Sequence, residues 1–197
     1  MLRLKNVDNS CFVENSYYPT GAVKRVTLGN SLTVSYTYHI SGALKTAKVQ
    51  SADGAIRYSE TLYYEDCGSS GCTPQYNGNI SRMVQSLAHG NTNYKEARDV
   101  MYAYDFMNRL TDVDDLEQDD FDEYFAYDAQ GRITSQRRGA NARNNWGGEY
   151  SYYAKTNKLE KVADGMGGSA DKRYMGNSGN FVYDSEGNLI EDKYLQG

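Results

Sequence analysis

The chain has 197 residues, a formal net charge of −5 and 39% apolar residues, with Tyr 19 times against Phe five and Pro twice. Its acidic and basic residues are mixed, which argues against nucleic acid as the main partner, since that calls for a basic patch. No run of about 20 apolar residues is present to cross a membrane as a helix. With apolar residues this sparse, much of any core must be built from tyrosine rings, which favour a pleated, half-polar surface over a helix bundle.

In chain order, the opening MLRLKNVDNS lacks the apolar core of a secretory signal. Residues 1–30 are expected to be an N-terminal segment, strand or irregular. From Ser31 the sequence alternates apolar and polar residues through Ser31-Leu32-Thr33-Val34-Ser35-Tyr36, the period of a strand. Then comes Tyr38-His39-Ile40-Ser41-Gly42-Ala43-Leu44, the first copy of a phrase that recurs along the chain. Glu60 to Asp66 starts the same way and runs into a loop between Cys67 and Cys72. Tyr76 to Val84 is expected as the strand that answers it, Ser86 to Ala97 as a connection, and Asn93 to Met101 as a short helical stretch.

The clearest copies follow. Tyr104-Asp105-Phe106-Met107-Asn108-Arg109-Leu110 is echoed by Tyr127-Asp128-Ala129-Gln130-Gly131-Arg132-Ile133, and near the end by Tyr183-Asp184-Ser185-Glu186-Gly187-Asn188-Leu189. A degenerate copy lies at 150–160. There Asn157 is expected at the Gly position, Leu159 at the Leu position and Ala154 in place of Asp, next to Tyr153. Gly165 to Gly179 reads as a long loop.

The phrase has the physics of a β-hairpin. Asp at the first corner and Gly at the fourth suit a type I turn. The Asp carboxylate accepts from a backbone N–H two residues on. Gly, or Asn at 108 and 157, tolerates the left-handed backbone that lets the second strand resume. Arg109 and Arg132 are expected to lay their stems across a ring and keep their guanidinium groups in water. One hairpin is marginal in water, so tandem hairpins must share a continuous aromatic layer. The expected fold is therefore all-β: tandem antiparallel hairpins forming a curved or spiralling continuous sheet over 31–197, with units near 31–50, 58–86, 98–113, 121–137, 148–163 and 179–195.

Cys67 and Cys72 bracket Gly68-Ser69-Ser70-Gly71. A loop disulfide in an oxidising compartment and a pair of free thiols both fit that spacing. Zinc would need two further ligands, and only the scattered Cys11, His39 and His89 remain. The acidic run Asp112 to Glu123 lacks the Gly of a calcium-binding loop. It reads instead as a solvated turn whose charges discourage edge-to-edge pairing. There is no Gly-x-Ser-x-Gly elbow, and Gly165-Met166-Gly167-Gly168-Ser169 lacks the Lys of a phosphate loop. Asp105, Asp128 and Asp184 stand one per repeat, where turn capping accounts for them. No catalytic residue, metal or cofactor is expected. Exposed tyrosines with Trp146 offer a second reading, a glycan- or protein-binding adhesion module.

The phrase Tyr-Asp-x-x-Gly-Arg-Ile-Thr at 127–134, with its variants at 104, 153 and 183, resembles the YD repeat of the Rhs (rearrangement hotspot) family. Related repeats occur in bacterial insecticidal toxin complexes, wall-associated proteins and animal teneurins. The resemblance implies a spiral strip of hairpins that forms part of a hollow shell, enclosing a C-terminal toxin, or part of a scaffold at a cell surface. It implies a bacterial, secreted or surface location and, as partners, further repeats or a toxin domain of a parent protein, with self-association through open sheet edges. The sequence holds too few repeats to close a large shell and lacks the Asp-Pro-x-Gly core region of some members, so enclosure by this segment alone is not expected.

Overall fold

The structure is a computed structural model that describes residues 2–5, 11–69, 71–88, 95–118, 121–139, 146–164, 179 and 181–193. Every regular element of four or more residues among them is a strand. They are β1 (Leu2–Lys5), β2 (Cys11–Tyr17), β3 (Val23–Leu28), β4 (Thr33–Tyr38), β5 (Leu44–Gln50), β6 (Ile56–Tyr63), β7 (Arg82–Ala88) and β8 (Lys95–Tyr104). There follow β9 (Leu110–Asp115), β10 (Glu123–Tyr127), β11 (Ile133–Arg138), β12 (Trp146–Tyr152), β13 (Leu159–Asp164), β14 (Phe181–Tyr183) and β15 (Leu189–Asp192).

The chain divides into two units, Met1–Tyr102 and Ala103–Gly197. In the first, β1 to β8 lie side by side in chain order, each antiparallel to the next. In the second, the chain leaving β8 turns at Asp105 into β9. Strands β9 to β13 then follow in order, and β14 pairs with β15 as a separate hairpin. Strands that neighbour in sequence neighbour in space, the arrangement that short turns enforce.

The turn chemistry explains the hairpins. The Asp128 N–H donates to the Arg132 carbonyl and the Gly131 N–H to the Asp128 carbonyl, both at 3.0 Å. That pair closes a three-residue loop whose last member is left-handed. Gly131 has φ 84°, Gly187 φ 93°, and Asn108 takes the same role with φ 62°. One residue beyond this turn the pairing slips. Tyr127 faces Ile133, while Ala126 faces Ser135. The same slip follows Tyr17, Tyr38, Tyr152 and Tyr183. A bulge at the same place in these five hairpins bends the strand and increases the local right-handed twist.

Few side chains are fully covered. Among the described residues the buried apolar ones are Ala47, Leu62, Cys67, Val100 and Phe181. Most strand residues are half-buried, so hairpin-to-hairpin contacts must supply the stability that a thick core would otherwise give.

Several expectations need correction. The N-terminal segment, expected as strand or irregular, is strand at Leu2–Lys5, Cys11–Tyr17 and Val23–Leu28, and β2 and β3 form a hairpin around Gly21 (φ 87°) like those that follow. Asn93 to Met101 is not helical where described; Lys95 to Met101 belongs to β8, because β7 offers its edge along that whole length. Ser86 to Ala97 is strand at both ends. The strand answering β6 starts at Arg82, not Tyr76, since the cysteine loop takes up the residues before it. Asp112 to Asp115 are part of β9 rather than a turn. In the degenerate copy Tyr152, not Tyr153, pairs with Leu159, so Tyr153 occupies the Asp corner. Its turn is one residue longer, and the left-handed residue is Lys155 (φ 60°), not Asn157. The predicted loop 165–178 and His89 lie outside the described residues, as do the side chains of Cys11 and Trp146.

The turn geometry sets a test. A Cβ built on Gly131 meets only Arg109 Nη1, at 3.8 Å, so space is not the constraint there. Backbone conformation is. Gly131→Val is expected to cost more than ~1 kcal/mol relative to Gln130→Ala, read as a difference in urea midpoints. Equal midpoints would contradict the left-handed turn.

Candidate functional site: a tyrosine and cation ladder between hairpins

The repeated residues meet across hairpins rather than within them. The Tyr127 hydroxyl donates to the Leu110 carbonyl of the preceding hairpin at 2.7 Å, and the Tyr152 hydroxyl to the Ile133 carbonyl at 2.7 Å. Tyr183 donates to Leu159 at 3.1 Å. In the first unit Tyr38 donates to Val23, and Tyr64 to Leu44, each at 3.0 Å. In every case the acceptor is the first residue of the strand that follows the preceding turn. The phrase positions Leu or Ile there, and its backbone oxygen serves the next tyrosine.

A cation runs the other way. Arg109 places its guanidinium 4.6 Å from the Tyr127 ring centre, and Arg132 lies 4.5 Å from that of Tyr152. Lys158 Nζ stands 5.5 Å from the Tyr183 centre. Each also donates to a carbonyl of the next turn: Arg109 to Asp128, Arg132 to Thr156 and Lys158 to Asp184. The guanidinium groups are therefore not left in water as expected. They are held on the next hairpin's ring, where partial desolvation strengthens the attraction.

The corner carboxylates complete the arrangement. Asp105 accepts from the backbone N–H groups of Met107 (2.9 Å) and Arg109 (3.0 Å) and pairs with the Arg109 guanidinium at 2.6 Å. Asp128 accepts in the same way from Gln130, Arg132 and the Arg132 guanidinium. Asp184 accepts from the Asn188 N–H at 2.8 Å and from its side-chain amide at 2.9 Å. Partial burial pushes the Asp105 and Asp128 carboxyls up, but hydrogen bonds and charge from the turn outweigh it and hold both below their ordinary value. The Asn188 side-chain bond, then its backbone bond, lower Asp184. All three carboxylates cap turns in separate hairpins. They do not converge on one another.

In three hairpins an aromatic ring stands at the corner in place of Asp. Tyr18, His39 and Tyr153 pack edge-on against Tyr38, Tyr64 and Tyr183, with centres 6.0, 5.3 and 6.5 Å apart. Cys67 and Cys72 are joined as a disulfide, with Cα atoms 5.9 Å apart. Arg82, which sequence reasoning missed, holds this loop. It pairs with Asp99 through two 2.6 Å bonds, donates to the Cys67 carbonyl at 3.0 Å and lies 5.3 Å from the Tyr63 ring centre. Its only sequence signal is a basic residue opening a strand after an aromatic turn. A groove of about 450 Å³ lies between the turn at His39 to Ala43 and the two arms of the cysteine loop, at Tyr64 to Asp66 and at Gln75 to Gly78.

In the acidic run, Asp122 accepts from the Asp115 N–H at 2.9 Å, and Asp115 accepts from the Glu117 N–H at 3.1 Å. Among the described residues no group of three or more His, Cys, Asp or Glu side chains is placed to hold a metal ion. Among the same residues no helix is long and apolar enough to cross a membrane.

Tandem antiparallel hairpins joined by such a ladder define the class by fold: an all-β protein built from consecutive, repeated hairpins. Two solved structures carry this fold over 91% of the chain, each with a TM-score of 0.63 and 14% identity. One is the Tc holotoxin pore of Photorhabdus luminescens with a TccC3 mutation, the other the crystal structure of TcdB2-TccC3-Cdc42. The chain spans about a tenth of the length of the chains it matches in them. No protein-family model matches the sequence, and no curated protein does.

Two tests follow from the ladder. Tyr127→Phe removes the donor to the Leu110 carbonyl and should cost about 1 kcal/mol of stability. Tyr76→Phe, at a residue 79% exposed, should cost almost nothing. Equal losses in urea unfolding would contradict the ladder. The second test is pH. The lowered aspartates release their protons more readily in the folded chain. Their contribution is present above about pH 4 and is lost as pH falls through their lower folded values. Burial raises Tyr64, Tyr104, Tyr127 and Tyr152. Burial, then a hydrogen bond to Glu60, push Tyr58 up to about 12. Folded tyrosines thus keep protons that the unfolded chain releases above about pH 10, and their contribution is lost as pH rises beyond that. The urea midpoint should be flat between about pH 4 and 10 and fall on both sides.

Proposed function

We propose that the chain is a non-catalytic structural module of a bacterial secreted or surface Rhs-type protein. It forms a strip of a β-shell that encloses a toxin domain, or of a scaffold built from the same repeats. The observation that carries this reading is the ladder. Hairpins of both units supply a tyrosine hydroxyl to the one before, and those of the second unit also a cation to the one after, so the repeated side chains are used for joining hairpins. The turn carboxylates are occupied by N–H and guanidinium donors, which leaves them poorly suited to take a proton from a substrate. The likeness to Tc toxin chains supports the wall reading; further repeats or a toxin domain of the parent protein are then the partners.

The adhesion reading keeps one observation in its favour. Phe106 (93% exposed), Ile40 and Tyr76 hold large apolar side chains out at turn tips and in the cysteine loop. A glycan array probed with the whole chain tests it. Saturable binding lost in Phe106→Ser or Tyr76→Ser favours adhesion, and an empty array removes it.

The wall reading is tested on the natural polypeptide that carries this sequence. Electron microscopy should show a hollow shell, with a segment protected from added protease until the shell is opened by denaturant. A solid or extended particle, with every segment cut at one rate, overturns enclosure.

A further inference from the structure

In the first unit two rungs lack the cation: that of Tyr38, where Ala22 precedes the Val23 acceptor, and that of Tyr64, and the groove lies at the second. Counting along the phrase, the residue before the Leu or Ile acceptor is Arg109, Arg132 or Lys158 in the second unit. Each covers the next hairpin's tyrosine. The matching residue before Leu44 is Ala43. The next tyrosine is Tyr64, fixed by the same hydroxyl bond to the Leu44 carbonyl. Among the described residues no lysine or arginine lies over the Tyr64 ring. Instead Ala43 and Tyr64 both line the groove of about 450 Å³.

The corner residue does not block that place. His39 packs edge-on against Tyr64, with planes at 87°. Tyr153 packs against Tyr183 in the same way, at 88°, and there Lys158 still reaches the ring. A cation and an edge-on corner aromatic thus share one tyrosine elsewhere in this molecule. The groove also carries the matching charge. Glu65 and Asp66, both exposed, line it beside Tyr64, and its lining includes no lysine or arginine; His39 is the one imidazole there. An aromatic face flanked by carboxylates suits a guanidinium or ammonium. The exposed Ile40 and Tyr76 at its margins offer apolar surface for the residues on either side of such a group.

We infer that this groove receives a basic side chain, arginine or lysine, from a partner polypeptide, which completes over Tyr64 the rung that Ala43 leaves open. The inference holds whether or not the strip belongs to a shell, because it rests on the ladder and the groove alone.

The test uses the whole chain with N-acetyl-arginine amide and N-acetyl-lysine amide as probes. Their neutral counterparts, the citrulline amide and the side-chain-acetylated lysine amide, serve as controls. Binding is followed by NMR at Ala43, His39 and Tyr64. The cationic probes should shift these resonances saturably, more weakly as salt is raised, and the neutral ones should bind at least about tenfold more weakly. Ala43→Arg should abolish the response and raise the melting temperature, because the protein then supplies its own cation. Glu65→Gln with Asp66→Asn, the asparagine keeping an oxygen for the Gly68 N–H, should weaken binding several-fold. Equal binding of charged and neutral probes, no saturable shift at these residues, or undiminished binding in the Glu65/Asp66 double variant each overturns the inference.

Discussion

The hydrogen bond from each tyrosine hydroxyl to a carbonyl of the preceding hairpin is the constraint on which the rest depends. A two-stranded hairpin is marginal in water, and a sheet with mostly half-buried faces has no thick core to hold it. The hydroxyl ties hairpin to hairpin at a fixed register, and the ring beneath it covers the turn. Phenylalanine supplies the ring but not the donor, which gives a physical reason for 19 tyrosines against five phenylalanines. The acceptor is a backbone oxygen, so any residue could occupy that position as far as the bond is concerned. Leu, Ile or Val stands there for a different reason, as the first half-buried residue of the returning strand.

The cation is the second tie, and it shows how one guanidinium serves three partners. Arg109 pairs with its own turn through Asp105, lies on the Tyr127 ring, and donates to the Asp128 carbonyl. A planar fork with several fixed donors can do all three at once. Lysine cannot, and where Lys158 takes the position no aspartate stands at its corner; Tyr153 packs on the shared ring instead. Asp with Arg, and aromatic with Lys, are thus two solutions to one demand: that the next tyrosine be covered and its turn anchored.

How much of this was legible in the sequence follows from the range of each interaction. The turns were readable because their physics is local. Asp128, Gly131 and Arg132 satisfy one another within five residues, and Asn108 announced its left-handed backbone. The register at Tyr152 and Tyr153 was not readable, because two adjacent tyrosines fit either place and only the pairing with Leu159 decides between them. The strand β8 was missed because its charged start, Lys95-Glu96-Ala97-Arg98, suits a helix locally, and only the edge of β7 overrides that. The ladder was invisible for the same reason. A layer of rings shared between hairpins is legible from the repetition, but not its specific partners: the tyrosine hydroxyl and the arginine find backbone carbonyls about 20 residues away.

The two ties run in opposite directions along the chain. The hydroxyl bond points from a later hairpin to an earlier one, and the cation points from the earlier to the later. An interior hairpin therefore depends on both neighbours and stabilises both. In a nearest-neighbour array, losing one interior unit removes two interfaces, while losing an end unit removes one. Stability grows with the number of consecutive rungs and not with the perfection of any one turn. That accounts for the tolerance of substitutions such as His39 and Tyr153 at the corner. A protein organised this way spreads its distinctive residues evenly along the strip, and each of them is spent on the interface with a neighbouring hairpin.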